Sequence, residues 1–285
     1  MTTFSSYDGT TLSYDEVGSG PPLVCLPGGP GRAAVYLEDL GGLAQERTLL
    51  RLDLRATGRS EVPADPSSLR FDRMAQDVEA LRLRLDLPRL DVLAHSAGTI
   101  VAQAWASANP SAVGTLVLVT PSDKLQGGSR SDVAAIRATR SAEPWFAEAD
   151  DAQQALTDAP LSQAQQLVRL TRPFWYGRWD ERTQAHAATA ERQSSKRAEL
   201  GFSAGLEELD LAGLLAGLQA VTAPVLVVGG ERDALTGLAS VDLVARCFVG
   251  ASTAVVPGAG HFPWVDEPHA FRDVVAAFLR TGPPA

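Results

Sequence analysis

Three residues far apart in the chain, Ser96, Asp233 and His261, are of the types that together turn a hydroxyl into a nucleophile. A serine hydroxyl is a poor nucleophile at neutral pH. An imidazole that takes its proton, oriented by a carboxylate, makes acyl transfer accessible. Ser96 sits in "LDVLAHSAG", between apolar strand formers and an Ala-rich helical pattern. Ala94 and Gly98 stand two before and two after it, where a sharp strand-to-helix turn needs small residues. "AHSAG" therefore reads as a G-x-S-x-G nucleophile elbow with alanine for its first glycine. On the pentapeptide alone, a serine that merely caps the following helix is the competing reading.

The company of Ser96 favours chemistry, because serine, acid and histidine follow one another in the order usual for a strand-borne elbow. "PVLVVGG" runs into "ERD", placing Asp233 just past a strand end, with Glu231 and Asp266 as the competing acids. "STAVVPGAG" runs into His261 in the same way. Of the other histidines, His95 adjoins the elbow and is expected to pack or hydrogen-bond. His186 and His269 are expected at the surface. The glycines of "LPGGPG" let backbone approach a reacting carbon, so the N–H groups of Gly29 and Ala97 are the expected oxyanion donors. Pro27 and Pro30 cannot donate, and the absence of a following GK[ST] sets aside a phosphate-binding loop.

The elements that must hold these residues read as an α/β fold, a mostly parallel sheet flanked by helices. Short apolar runs ("PPLVCLPG", "RTLLRLDLR", "LDVLAHS", "VGTLVLV") alternate with helical patterns, and such alternation implies parallel strands joined by crossovers. Met74, Val78, Leu81 and Leu85 mark one buried helical face. From about residue 123 to 220 the β-branched runs disappear and an aromatic cluster, "RPFWYGRW", stands out, which reads as a helical cap inserted into the core. The core is then 1–122 and 221–285, closed by the helical "PHAFRDVVAAFLR", with "TGPPA" as an unstructured tail.

Bulk properties narrow the classes. The chain has 285 residues, of which 45% are hydrophobic, enough for a large core. A formal net charge of −9 without any basic block argues against nucleic acid as the partner. Two cysteines make no disulfide framework, Cys25 lying in an apolar run. Neither a leader-like N-terminus nor a membrane-length apolar run is present, so a cytoplasmic protein acting on a small molecule or short peptide is the expectation. No metal cluster or nucleotide motif is visible, and no cofactor is expected.

Taken together, "PGGPG", "DLRATGRS", "AHSAG", "GGERD" and "GAGHFPWVDEP" resemble the α/β-hydrolases, and within them the proline iminopeptidases and related aminoacyl hydrolases. The resemblance runs from Leu26 to Pro268. It implies a serine hydrolase that removes a terminal aminoacyl group, with a carboxylesterase or lactonase as the alternative. A ligand-binding protein on the same fold is a third possibility that the ordered trio disfavours, and a perhydrolase using the same triad is not separable by sequence. A serine at the elbow argues against the epoxide hydrolases and dehalogenases, which alkylate an aspartate. Three positions depart from the iminopeptidase pattern: Pro27 for histidine, Ala56 for glycine, and Ala97 for the tryptophan that usually follows the nucleophile. Those enzymes hold the substrate's ammonium with cap glutamates; their local motif is missing here, and Glu199 is the nearest counterpart, with Glu191, Glu207 and Glu208 nearby. Trp175, Tyr176 and Trp179 line the substrate pocket or fill the cap core. Asp53 and Arg55 are expected to support the structure near the elbow.

Overall fold

The computed structural model describes residues 2–128 and 131–281; of the tail expected at 281–285, Thr281 instead ends the last helix, and 282–285 lie outside the described residues. Eight strands form one sheet: β1 (Thr2–Ser5), β2 (Thr11–Val17), β3 (Pro22–Leu26), β4 (Thr48–Asp53), β5 (Leu90–His95), β6 (Val113–Val119), β7 (Val225–Gly230) and β8 (Ser252–Val256). Their spatial order is β1-β2-β4-β3-β5-β6-β7-β8. From β4 to β8 all neighbours are parallel, while β1 and β2 pair antiparallel at one edge.

That order places the functional loops. The chain runs from β3 outward to β4 and returns to β5 on the other side of β3, so the loops after β3 and β5 diverge from adjacent strand ends. This is the switch point at which open α/β sheets bind ligands. Ser96 follows β5 and Gly29 follows β3; Asp233 and His261 follow β7 and β8 at the same edge.

The central strands are apolar nearly throughout because both faces are covered. Every residue of β5, β6 and β7 is buried. On one face, α1 (Phe71–Arg84) and α2 (Gly98–Ala108) pack against the sheet, Met74, Val78 and Leu81 of α1 joining Ile100, Val101 and Trp105 of α2 in one cluster. Between β6 and β7 the described residues hold only helices and loops: α3 (Val133–Ala138), α4 (Phe146–Ala155), α5 (Leu161–Thr171), α6 (Glu181–Ala188), α7 (Ala190–Gln193), α8 (Lys196–Gly201) and α9 (Leu211–Leu218). After β7 come α10 (Ala239–Ala245), α11 (Pro263–Asp266) and α12 (Pro268–Thr281), the last burying Phe271 and Val275 against the second face of the sheet.

Arg55 sits deeper than the sequence suggests. Its side chain is 0% exposed and makes a two-pronged contact with the equally buried Asp77 of α1, Nε–Oδ2 2.7 Å and Nη2–Oδ1 2.6 Å. It also pairs with Asp8 in the β1–β2 turn at 2.5 Å. Arg55 therefore ties α1 to the N-terminal hairpin rather than bracing the elbow, and Asp53 accepts the N–H groups of Ala34 and Arg59. Cys25 and Cys247 are both free. No helix among the described residues is long and apolar enough to cross a membrane.

Candidate active site

Ser96 stands at the turn from β5 into α2 with φ of 52°, the left-handed region that L-residues enter only when surrounding structure holds them there. Its N–H donates to the Val119 carbonyl at 3.0 Å, and its own carbonyl accepts from the N–H and hydroxyl of Thr99. The turn is crowded by the loop after β3. A Cβ on Gly28 would lie 2.8 Å from the Ser96 Cβ, and one on Gly98 would lie 2.5 Å from the Pro27 carbonyl, so glycine is required at both places. Ala94, at the first small position of the elbow, fits fully buried within β5. Ala56, where the family carries glycine, sits at a φ of 57° in the left-handed region.

The structure brings Ser96, His261 and Asp233 together. His261 Nε2 is 2.9 Å from Ser96 Oγ, and His261 Nδ1 is 2.9 Å from Asp233 Oδ2. Burial would raise the Asp233 carboxyl, but the His261 imidazole, the Thr236 hydroxyl and the Leu235 N–H outweigh it and hold the group below the usual carboxylate range. Asp233 is thus ready to stabilise a charged imidazole at neutral pH. The two competing acids serve the same loop otherwise: Glu231 accepts the Gly258 N–H and Asp266 accepts the Gly260 N–H, each at 2.8 Å. The N–H groups of Gly29 and Ala97 have no partner among the described residues, whereas that of Gly28 is taken by the Tyr36 hydroxyl. The described residues contain no cluster of metal-ligating side chains.

The inserted helices diverge from the sequence expectations. Tyr176 is 1% exposed, with its hydroxyl 2.7 Å from His186 Nδ1 and its ring stacked on Phe262; it is a packing residue rather than a substrate contact. His186 is correspondingly buried, not at the surface, because the Tyr176 hydroxyl and the Tyr36 carbonyl satisfy both of its nitrogens. Trp175 is half-buried against the Phe174 cluster, and its carbonyl accepts the His261 N–H at 2.7 Å. Glu199, 46% exposed, is paired with Lys196 on the surface of α8. Glu191 is held by Arg169 and Arg172, and Glu208 by Arg70. His269 is exposed, as expected. Sequence reasoning passed over Tyr36 and Thr236, which have no motif of their own and become visible only through the groups they touch.

Residues 21–268 match the family described as alpha/beta hydrolase fold. The chain belongs to the α/β-hydrolase family. Within it, the chain is similar to a proline iminopeptidase of Heyndrickxia coagulans, 34% identical over 108 residues; the match spans 38% of this chain and 38% of that one. Among solved structures, a proline iminopeptidase-related protein from Thermus thermophilus superposes with a TM-score of 0.71 at 26% identity, covering 98% of this chain and 96% of that one. An esterase from Exiguobacterium antarcticum reaches a TM-score of 0.73 at 19% identity over 98% of this chain and 99% of that one, a likeness of fold.

Beside the loop that carries His261 lies an ionisable group with a measurable signature. Asp266 Oδ2 takes the N–H groups of Gly177 and Gly260, while Oδ1 is buried without a partner among the described residues; burial pushes the carboxyl up to about 6. A carboxyl raised on folding binds more protons in the native than in the unfolded chain, so it withdraws stability as pH rises from about 4 to 6. Relative to Asp266→Asn, the wild type is expected to lose about 2.5 kcal/mol between pH 4 and 7.5, read by urea denaturation. Parallel pH curves for the two proteins would contradict this account.

Proposed function

We propose that the protein is a serine hydrolase working through an acyl-enzyme, with Ser96 as nucleophile, His261 as general base and then general acid, and Asp233 as the orienting carboxylate. The observation that carries this reading is the pair of 2.9 Å contacts joining Ser96, His261 and Asp233. His261 Nε2 takes the hydroxyl proton as Oγ attacks the carbonyl carbon, and the imidazolium so formed is stabilised by Asp233. The oxyanion is received by the N–H groups of Gly29 and Ala97. Collapse of the tetrahedral intermediate passes the proton from His261 to the leaving group, and water, deprotonated by the same imidazole, releases the acid. The chemistry requires no group beyond the chain. The helices of residues 123–220 act as a cap over a small substrate or short peptide and exclude water from it. A cytoplasmic setting belongs to this reading and is supported by two unpaired cysteines.

The substrate class we propose is a terminal aminoacyl amide, by likeness to the proline iminopeptidase relatives. A second reading, a short-acyl esterase or lactonase, is favoured by one observation: Glu199, the nearest counterpart of an ammonium-binding glutamate, is exposed and already paired with Lys196. A matched panel of prolyl and alanyl anilides, their N-acylated forms and short acyl esters separates the two. Cleavage of free-amine anilides that N-acylation abolishes supports the aminopeptidase. Turnover of esters alone replaces it with the esterase.

A further inference from the structure

A second set of hydrogen bonds links the same loops from beneath. The Tyr36 hydroxyl is 2.7 Å from the Gly28 nitrogen and 2.6 Å from His95 Nδ1. His95 Nε2 is 2.9 Å from the backbone carbonyl of His261. The direction of every proton follows. A backbone N–H only donates, so the Tyr36 oxygen accepts from Gly28 and sends its own proton to His95 Nδ1, which must present a lone pair. His95 then carries its proton on Nε2 and donates it to the His261 carbonyl.

We propose that Tyr36 and His95 are positioning residues, a hydroxyl–imidazole relay that fixes the loop carrying Gly29 and the backbone of His261 relative to Ser96. The proposal rests on the hydrolase reading above and assigns it two further residues. His95 is one position before Ser96, Gly28 one before Gly29, and the carbonyl that His95 holds belongs to His261 itself, so the relay reaches all three loops within one residue of a reacting group. With its N–H turned onto Tyr36, Gly28 leaves Gly29 to face an oxyanion. The His261 backbone is held on both sides, its carbonyl also accepting from Thr120 Oγ1 at 3.0 Å and its N–H donating to Trp175.

The relay is built to keep one arrangement. Tyr36 is 2% exposed, its ring lies under the Arg32 guanidinium at 4.2 Å and against Trp264, and its carbonyl accepts from His186 Nε2 at 3.1 Å. Burial, and then the His261 imidazole beside it, push His95 well below the ordinary histidine range, so it stays neutral and its tautomer does not change with pH.

Tyr36→Phe keeps the ring and deletes the relay. The expected result is a kcat about 10- to 100-fold lower with KM changed less than about threefold, because the lost alignment is felt where charge develops. Affinity for a trifluoromethyl ketone, which needs the oxyanion donors, should fall in parallel. In the wild type, nitrogen NMR should show His95 protonated at Nε2 and constant from pH 5.5 to 9. A Tyr36→Phe enzyme with kcat within about twofold of wild type, altered only in Tm, would mean a purely structural tyrosine. His95 protonated at Nδ1, or titrating in that range, would equally overturn the relay, and this measurement decides the matter should the variant fail to fold. Failure of a fluorophosphonate to label Ser96 in the wild type would instead remove the hydrolase reading and the positioning role with it.

Discussion

Replacing Ser96 with alanine is expected to lower kcat by about 10⁶-fold while leaving the fold intact. The size follows from the proposal that Ser96, His261 and Asp233 act as one unit, in which losing the nucleophile costs nearly as much as losing all three. A residual rate about 10³- to 10⁴-fold over water should persist, because the N–H groups of Gly29 and Ala97 and the substrate pocket are untouched. Stability should move by no more than about 1 kcal/mol, the worth of one hydrogen bond to His261. Steady-state kinetics of both proteins on the best substrate of the panel, with thermal melts alongside, makes the comparison. Retention of more than a few per cent of wild-type turnover would end the covalent mechanism.

The largest effect on stability is expected at Arg55. Its guanidinium neutralises Asp77, whose side chain is 0% exposed, and Ser6 is the other hydrogen-bond donor to that carboxylate. Arg55→Ala leaves a buried carboxylate without its cation and should cost about 3–5 kcal/mol, a far larger penalty than the net worth of the pair. The double variant Arg55→Met, Asp77→Leu removes both charges and should recover most of that loss, since an apolar pair of similar volume replaces an ion pair at little cost. Arg55 makes no contact with Ser96, His261 or Asp233, so the single variant should still turn over substrate at low temperature. Chemical denaturation of the three proteins tests this, and a loss below about 1 kcal/mol for Arg55→Ala would contradict it.

The sheet from β3 to β8 and the bringing together of Ser96, Asp233 and His261 could be read from the chain because their signals are local. An apolar run bounded by turn residues marks a doubly covered strand, and the residues that matter follow it directly. β1 and β2 escaped notice for the opposite reason: β1 is a four-residue edge strand, β2 beside it is partly exposed, and the hairpin they form is signalled only by Asp8–Gly9 in the turn, where Gly9 has a φ of 87°. Tyr36 and His186 were illegible for a third reason. Tyr36 is defined by His95 and His186, 59 and 150 residues away, and His186 by Tyr36 in turn, and no local pattern distinguishes a buried, doubly bonded histidine from a surface one. Glu199 illustrates the limit of reasoning by resemblance, since its place in the order of the chain says nothing of the Lys196 beside it.

The segment carrying Trp175 is seated on the histidine loop with no side chains between them. A Cβ on Gly177 would lie 1.8 Å from the Gly258 carbonyl, one on Gly260 would lie 2.6 Å from the Tyr176 backbone, and the Trp175 carbonyl holds the His261 N–H. Any chimera that exchanges the inserted helices for those of a relative must therefore transplant residues 175–177 and 258–260 as a matched pair. A graft cut at the ends of the insertion would import a foreign neighbour for His261 and be inactive for reasons unrelated to its substrate pocket. The same holds where the insertion meets the loop after β3, since Ser195 donates its N–H to the Gly31 carbonyl and a Cβ on Gly31 would lie 2.8 Å from the Ser195 carbonyl oxygen.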